Sequence, residues 1–99
     1  MSRWLSLGLV ERAVPLAALR GVSEVARSPR GFLPIYRAAG GKPSRVPLAW
    51  RRRRAAFISR HVAQAKARGE SWFQRDGRPT RRHLALIMWA YSPTPARVR

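Results

Sequence analysis

The sequence predicts an all-α fold, a small single domain of three to four short helices with a central apolar C-terminal helix. Three observations predict it. The apolar side chains of residues 47–68 fall on one arc when each residue advances about 100°, and Gly69 stands ready to stop that helix. Leu84 to Tyr91 is apolar all round, as a helix buried on every side would be. The strand-like fragment Ser71-Trp72-Phe73 is too short for a sheet and reads better as a loop that plugs the core. With 99 residues the chain buries only a modest share of its surface, roughly 60–65%, so one small core is expected.

The first element spans about Ser2 to Ala26, where Leu5, Leu9, Ala13, Leu16, Leu19 and Val22 recur near helical spacing. Pro15 should kink or divide this helix, and Gly21 weakens it. Residues 1–27 thus form an amphipathic segment, peripheral to the fold or a targeting sequence. As a secretory signal it fails, because Glu11 and Arg12 interrupt the apolar run. Arg3, Arg12, Arg20 and Arg27 suit a mitochondrial presequence better, against which stand Glu11 and Glu24.

Residues 28–95 form the basic helical domain. Its first helix has Ser28 as N-cap and Pro29 at the first helical position. Phe32, Leu33, Ile35 and Tyr36 supply its apolar face, and Gly40 and Gly41 end it. The next helix runs from about Pro47 to Arg68, capped by Ser44 and ended by Gly69. Its apolar arc holds Trp50, Phe57, Ile58, His61, Val62 and Ala65; Arg52, Arg53, Arg60 and Lys66 lie opposite. Asp76-Gly77 marks a turn, Thr80 an N-cap, and Pro93 and Pro95 a stop after the last helix. The tail 96–99 is expected to fray. The core is read as Trp50, Phe57, Ile58, Val62, Leu84, Ile87, Met88 and Trp89.

Charge dominates the functional reading. Twenty-one Lys and Arg face four acids, a formal net charge of +17. Nineteen of the bases are arginine, whose planar fork binds phosphate oxygens in pairs and stacks on bases. Residues 51–68 carry seven bases and no acid. Self-repulsion at this charge opposes compaction, and a polyanion relieves it. Nucleic acid is the expected partner, RNA or DNA.

Arg51, Arg52, Arg53 and Arg54 stand in a row, and four successive helical residues span about 300°. They cannot share one face. Arg52 and Arg53 should meet solvent or a ligand. Arg54 falls between Trp50 and Phe57, and is expected to stack there with its head in water or to stand on a turn that projects beyond the core. Positive charge at a helix N-terminus opposes the helix dipole and becomes favourable beside phosphate. The expected contacts are Arg51–Arg54, Arg60 and Lys66, with Arg78, Arg81 and Arg82 as a second group at the start of the last helix. In that second group, pairing with Asp76 or Glu70 is the competing use. Trp50 and Tyr36 are the candidates for stacking on unpaired bases.

Other chemistry has little to stand on. Two histidines and four scattered acids make a metal site improbable, and no cofactor is implied. His61 lies on the apolar arc; His83 is within sequence reach of Asp76 or Glu70, but Ser59, Ser71 and Ser92 have no triad context. No enzyme is expected. Gly40-Gly41-Lys42-Pro43 lacks the glycine spacing of a phosphate-binding loop. A helix-turn-helix starting at Thr80 would put Trp89 at the turn and Pro95 inside the second helix. The longest apolar run is the eight residues Leu84 to Tyr91, and a membrane span needs about 20.

The expected function is therefore phosphate-backbone binding with low sequence specificity, in the cytoplasm or on the nucleoid. The absence of cysteine fits a reducing compartment. The alternatives are a structural subunit of a ribonucleoprotein such as a ribosome, which would allow a mitochondrial matrix location, and a phage or mobile-element factor docking an acidic host protein. Lipid-surface binding through residues 1–27 is a further rival.

Overall fold

The computed structural model describes residues 3–19, 21 and 31–95. Among them are four α-helices: α1 (Leu7–Leu19), α2 (Phe32–Ala38), α3 (Leu48–Arg68) and α4 (Arg81–Ile87), with a 3-10 turn at Pro43–Arg45. A β-bridge, Phe73 to Pro79, closes the turn between α3 and α4. The fold is all-α, and α4 packs against both α1 and α3.

α1 begins later than its apolar spacing suggests. Residues 3–6 are not helical because Leu5 is tied on both sides: its N–H donates to Ala90 O (2.7 Å) and its carbonyl accepts from the Tyr36 hydroxyl (2.7 Å). The Ser6 hydroxyl then accepts from Leu9 N and caps the helix. Pro15 does not divide α1; it sits on the exposed side, where the carbonyl it leaves unbonded can face water. Val10 and Ala17 are the buried positions, and Leu19, expected on the apolar face, is 77% exposed. Leu5, Val10 and Ala17 belong to the same core as the rest of the chain. The Arg37 guanidinium grips the Glu11 carboxylate in two hydrogen bonds, of 2.9 and 2.6 Å, and ties α2 to α1.

The expected caps Ser28 and Pro29 lie outside the described residues. α2 starts after Gly31, which leaves Pro34 in the first turn, where a missing N–H is harmless. Gly40 and Gly41 end it with positive φ. A Cβ on Gly41 would stand 2.9 Å from Leu7 Cβ, so the close approach to α1 requires glycine there. α3 is not capped by Ser44, which is taken into the 3-10 turn; its N-cap position is Pro47, with no side-chain bond. Gly69, at φ +64, closes its C-terminus as expected.

α4 ends at Ile87, not at Tyr91. Ala90 N donates to Ile87 O and Tyr91 N to Leu86 O, the bond pattern of a helix closed by a left-handed residue. That residue is Ala90, at φ 58, where glycine is usual. The Thr80 hydroxyl caps the helix by accepting from His83 N. His83, Leu84, Leu86 and Ile87 are buried, as are Met88, Trp89 and Ala90 beyond the helix. Phe32, Tyr36, Trp89 and the half-buried Trp4, Trp50 and Phe57 form a continuous aromatic cluster. Of the expected core, Ile58, Leu84, Ile87, Met88 and Trp89 are buried; Trp50, Phe57 and Val62 are half-buried.

Candidate nucleic-acid interface

The arginine run divides into two populations. α3 turns its Ile58–Ala65 line inward, and 100° per residue then carries Arg52 and Arg53 to solvent. Arg51 is exposed too, and its Nε donates back to Val46 O at 3.1 Å. Arg54 goes the other way and is only 3% exposed.

The surroundings of Arg54 correct the expectation of a wet guanidinium. Its Nε donates to Trp89 O (2.7 Å), and its second terminal nitrogen donates to Ala90 O and Arg3 O, both at 2.8 Å. The Trp4 ring, not Trp50 or Phe57, lies 3.8 Å from it. Main-chain carbonyls at the end of α4 carry the negative pole of that helix. Two of them, together with Arg3 O and an aromatic face, stabilise a charge that would otherwise be prohibitive to bury. Burial lowers the Arg54 pKa to about 10, with Tyr36 and Tyr91 acting against the shift. It remains charged at neutral pH but is spent inside the fold, so Arg54 leaves the set of candidate phosphate contacts.

Tyr36 leaves the set of stacking residues for the same reason. It is 1% exposed, and its hydroxyl is bound to Leu5 O. Trp50 is half-buried, with Phe32 and Trp89 on its inner side and the Arg53 guanidinium 4.9 Å from its ring.

Arg52, Arg53, Arg60 and Lys66 are all exposed. Arg53 and Arg60 rest over Trp50 and Phe57. Among the described residues, none of the four is paired with a carboxylate. The described acids are engaged elsewhere: Glu11 with Arg37, Glu70 with Arg82 and Arg68, and Asp76 with Arg78.

The second basic group is less free. Arg82 forms a bidentate pair with Glu70 at 2.6 and 3.0 Å, and its Nη1 meets His61 Nδ1 (2.9 Å) and Gln64 Oε1 (3.1 Å). Only 14% of its side chain is exposed. The hydrogen bonds from Arg82 lower the Glu70 pKa. Burial lowers that of His61, with Arg82 and Arg60 reinforcing the shift. Arg82 is thus a strut between α4 and α3. Arg81 and Arg78 remain exposed, Arg81 donating to Gly21 O and Arg78 lying 3.9 Å from Asp76. His61, Gln64, Glu70, Arg81 and Arg82 share one cleft, so Arg81 and Arg82 border the flank of α3 that carries Arg60, whereas Arg78 lines a cleft with Arg12 and Leu16 of α1.

A Ser–His pair that sequence spacing did not reveal lies in the interior. His83 Nδ1 is 2.8 Å from Trp72 O, which can only accept, so Nδ1 carries the proton. Nε2 then accepts from Ser92 Oγ at 2.7 Å, and that oxygen accepts from Thr94 N. His83 is fully buried and Ser92 is 4% exposed. The network pins residues 92–94 and the 72 loop to α4. Among the described residues no cluster of three metal-ligating side chains occurs, and no helix is long and apolar enough to cross a membrane. The chain matches no protein-family model, no curated protein and no solved structure.

Proposed function

We propose that this protein binds nucleic acid through the phosphate backbone, using the solvent face of α3 as its principal contact. The observation that carries the proposal is the set of exposed cations on that face, Arg52, Arg53, Arg60 and Lys66, none of which pairs with a carboxylate among the described residues. Such a surface gains by displacing the condensed counterions of a polyanion. Arg51 and Arg78 are further exposed cations and Arg81 shares a cleft with Gln64 of α3, while Arg54 and Arg82 hold the scaffold.

The test is affinity for single-stranded RNA, single-stranded DNA and duplex DNA over a range of salt. Log K should fall steeply with log salt, and changing Arg52, Arg53, Arg60 and Lys66 together to Ala should remove roughly 3 to 4 of that slope. Weak binding to all three, unchanged in the quadruple variant, would reject the proposal and favour an acidic protein partner.

A further inference from the structure

The outward face of α3 has an internal order that charge alone does not require. With Ile58 and Ala65 pointing inward, the residues directed furthest from the core are Ala49, Ala56, Ala63 and Ala67. Arg52 and Lys66 fall on one side of this alanine line; Arg53 and Arg60 fall on the other. Leu48, Ser59 and Gln64 complete the face, which holds no acid and no aromatic ring. Over 21 residues the helix is about 30 Å long, and Arg52 and Lys66 stand about 21 Å apart along it.

Two features of this arrangement select among nucleic acids. Proteins that hold single strands stack the bases on exposed aromatic rings. Here the rings are turned inward: Tyr36 is buried, Trp50 packs on Phe32 and Trp89, and Phe57 stacks on His61 and Trp89 at 4.1 and 4.7 Å. A narrow ridge with cations on both flanks is instead the shape of a helix that enters a groove and reaches the phosphates on each wall. The major groove of B-form DNA is about 12 Å wide and admits an α-helix. The major groove of A-form RNA is too deep and narrow to do so.

We infer that the partner is duplex DNA, with α3 lying in the major groove, its alanine ridge toward the base edges and its two cation rows on opposite phosphate walls. This rests on the nucleic-acid reading above and narrows it to one substrate. The alanines allow close approach, and the cations are placed to fix depth and register.

The test uses the full chain with duplex DNA, its component single strand and an RNA duplex of matching sequence. A ridge variant, Ala56→Leu with Ala63→Leu, adds bulk without altering charge, and leucine keeps the helix. Ala55→Leu, also exposed but off the ridge, is the control. Duplex DNA should bind at least about tenfold more tightly than the other two ligands, and the ridge variant should lose about tenfold on duplex DNA with its salt slope retained. The control should bind as the parent does. Equal affinity for single strands or RNA duplex, or a ridge variant that behaves like the control, overturns the groove inference while leaving phosphate binding intact. Failure of every polyanion to bind overturns both.

Discussion

Arg53 and Arg54 are neighbours in sequence and about 100° apart on α3. Arg53 is exposed over the ring of Trp50, with no carboxylate paired to it among the described residues. Arg54 is sealed under Trp4 and donates to three main-chain carbonyls. The two faces of one helix thus use the same side chain in opposite ways. Inside, a guanidinium joins residue 3, the end of α4 and the middle of the chain into one core. Outside, it is held in water where a polyanion can reach it. A run of like residues is therefore no unit of function; helical phase divides it.

The largest effect that could break this contrast is expected at Arg54. Changing it to Ala leaves Trp89 O and Arg3 O without that donor in the interior and takes one of two donors from Ala90 O. The expected loss is about 3 to 4 kcal/mol, a large share of the roughly 5 to 15 kcal/mol that holds a domain of this size. Arg54→Lys should recover less than half, because one ammonium cannot span the three acceptors. Urea unfolding measures both, and a loss below about 1 kcal/mol for the alanine variant would make Arg54 an ordinary surface residue.

The outer face should answer in the reverse sense. The quadruple change of Arg52, Arg53, Arg60 and Lys66 to Ala should shift stability by no more than about 0.5 kcal/mol per site, and upward if like-charge repulsion dominates. Its binding should weaken by about a hundredfold at low salt, near 2.7 kcal/mol. A variant that unfolds instead would show that the outer cations hold structure as well.

How much of this was legible beforehand follows from where each signal resides. The phase of α3, its stop at Gly69 and the outward cations all come from a 100° period that local sequence carries. The pairing of Arg82 was visible as a competing use of Glu70. The burial of Arg54 was not, because its partners are backbone carbonyls. Every residue has one, so no residue type announces the cage. Nor does Ala90 announce the left-handed turn that aims two of those carbonyls, since glycine is the usual sign. Tyr36 misled for a related reason: its hydroxyl is satisfied by Leu5 O, and a buried phenol reads in sequence like an exposed one. The alanine ridge was readable from its seven-residue spacing, but small residues carry no chemistry of their own to draw the eye.

The buried imidazoles give a smaller effect, confined to the inner side. Burial lowers the pKa of His83 from its ordinary 6.5, and the bond to Trp72 O only partly opposes this. Below that ordinary value the unfolded chain takes up a proton that the folded chain refuses. Stability from this source is therefore full above pH 6.5 and declines as the pH falls toward the folded value, with His61 acting in the same direction. Glu70 and Glu11, both lowered, keep their contribution until the pH falls below their ordinary 4.5. Urea midpoints measured from pH 7.5 to 5 should decline, and His83→Gln should flatten the decline. A flat profile in the parent would mean that the buried His83 is readily protonated in place.

The smallest effect sharpens the account of the cage itself. Ala90 holds φ 58, a conformation that costs an L-residue about 1 to 2 kcal/mol. Glycine would remove that strain but lose chain entropy on folding, so Ala90→Gly should stabilise by only about 0.5 kcal/mol. The informative measurement is the double-mutant cycle with Arg54→Ala. Arg54 and Leu5 N both pull on Ala90 O, which holds the turn left-handed even where its side chain resists. Without Arg54 the turn can relax, the strain partly disappears, and glycine should gain less. Non-additivity of that sign would show that the arginine imposes the backbone conformation it binds. Strictly additive values would mean that the turn is set by the packing of Ala90 alone, with Arg54 fitted to carbonyls already in place.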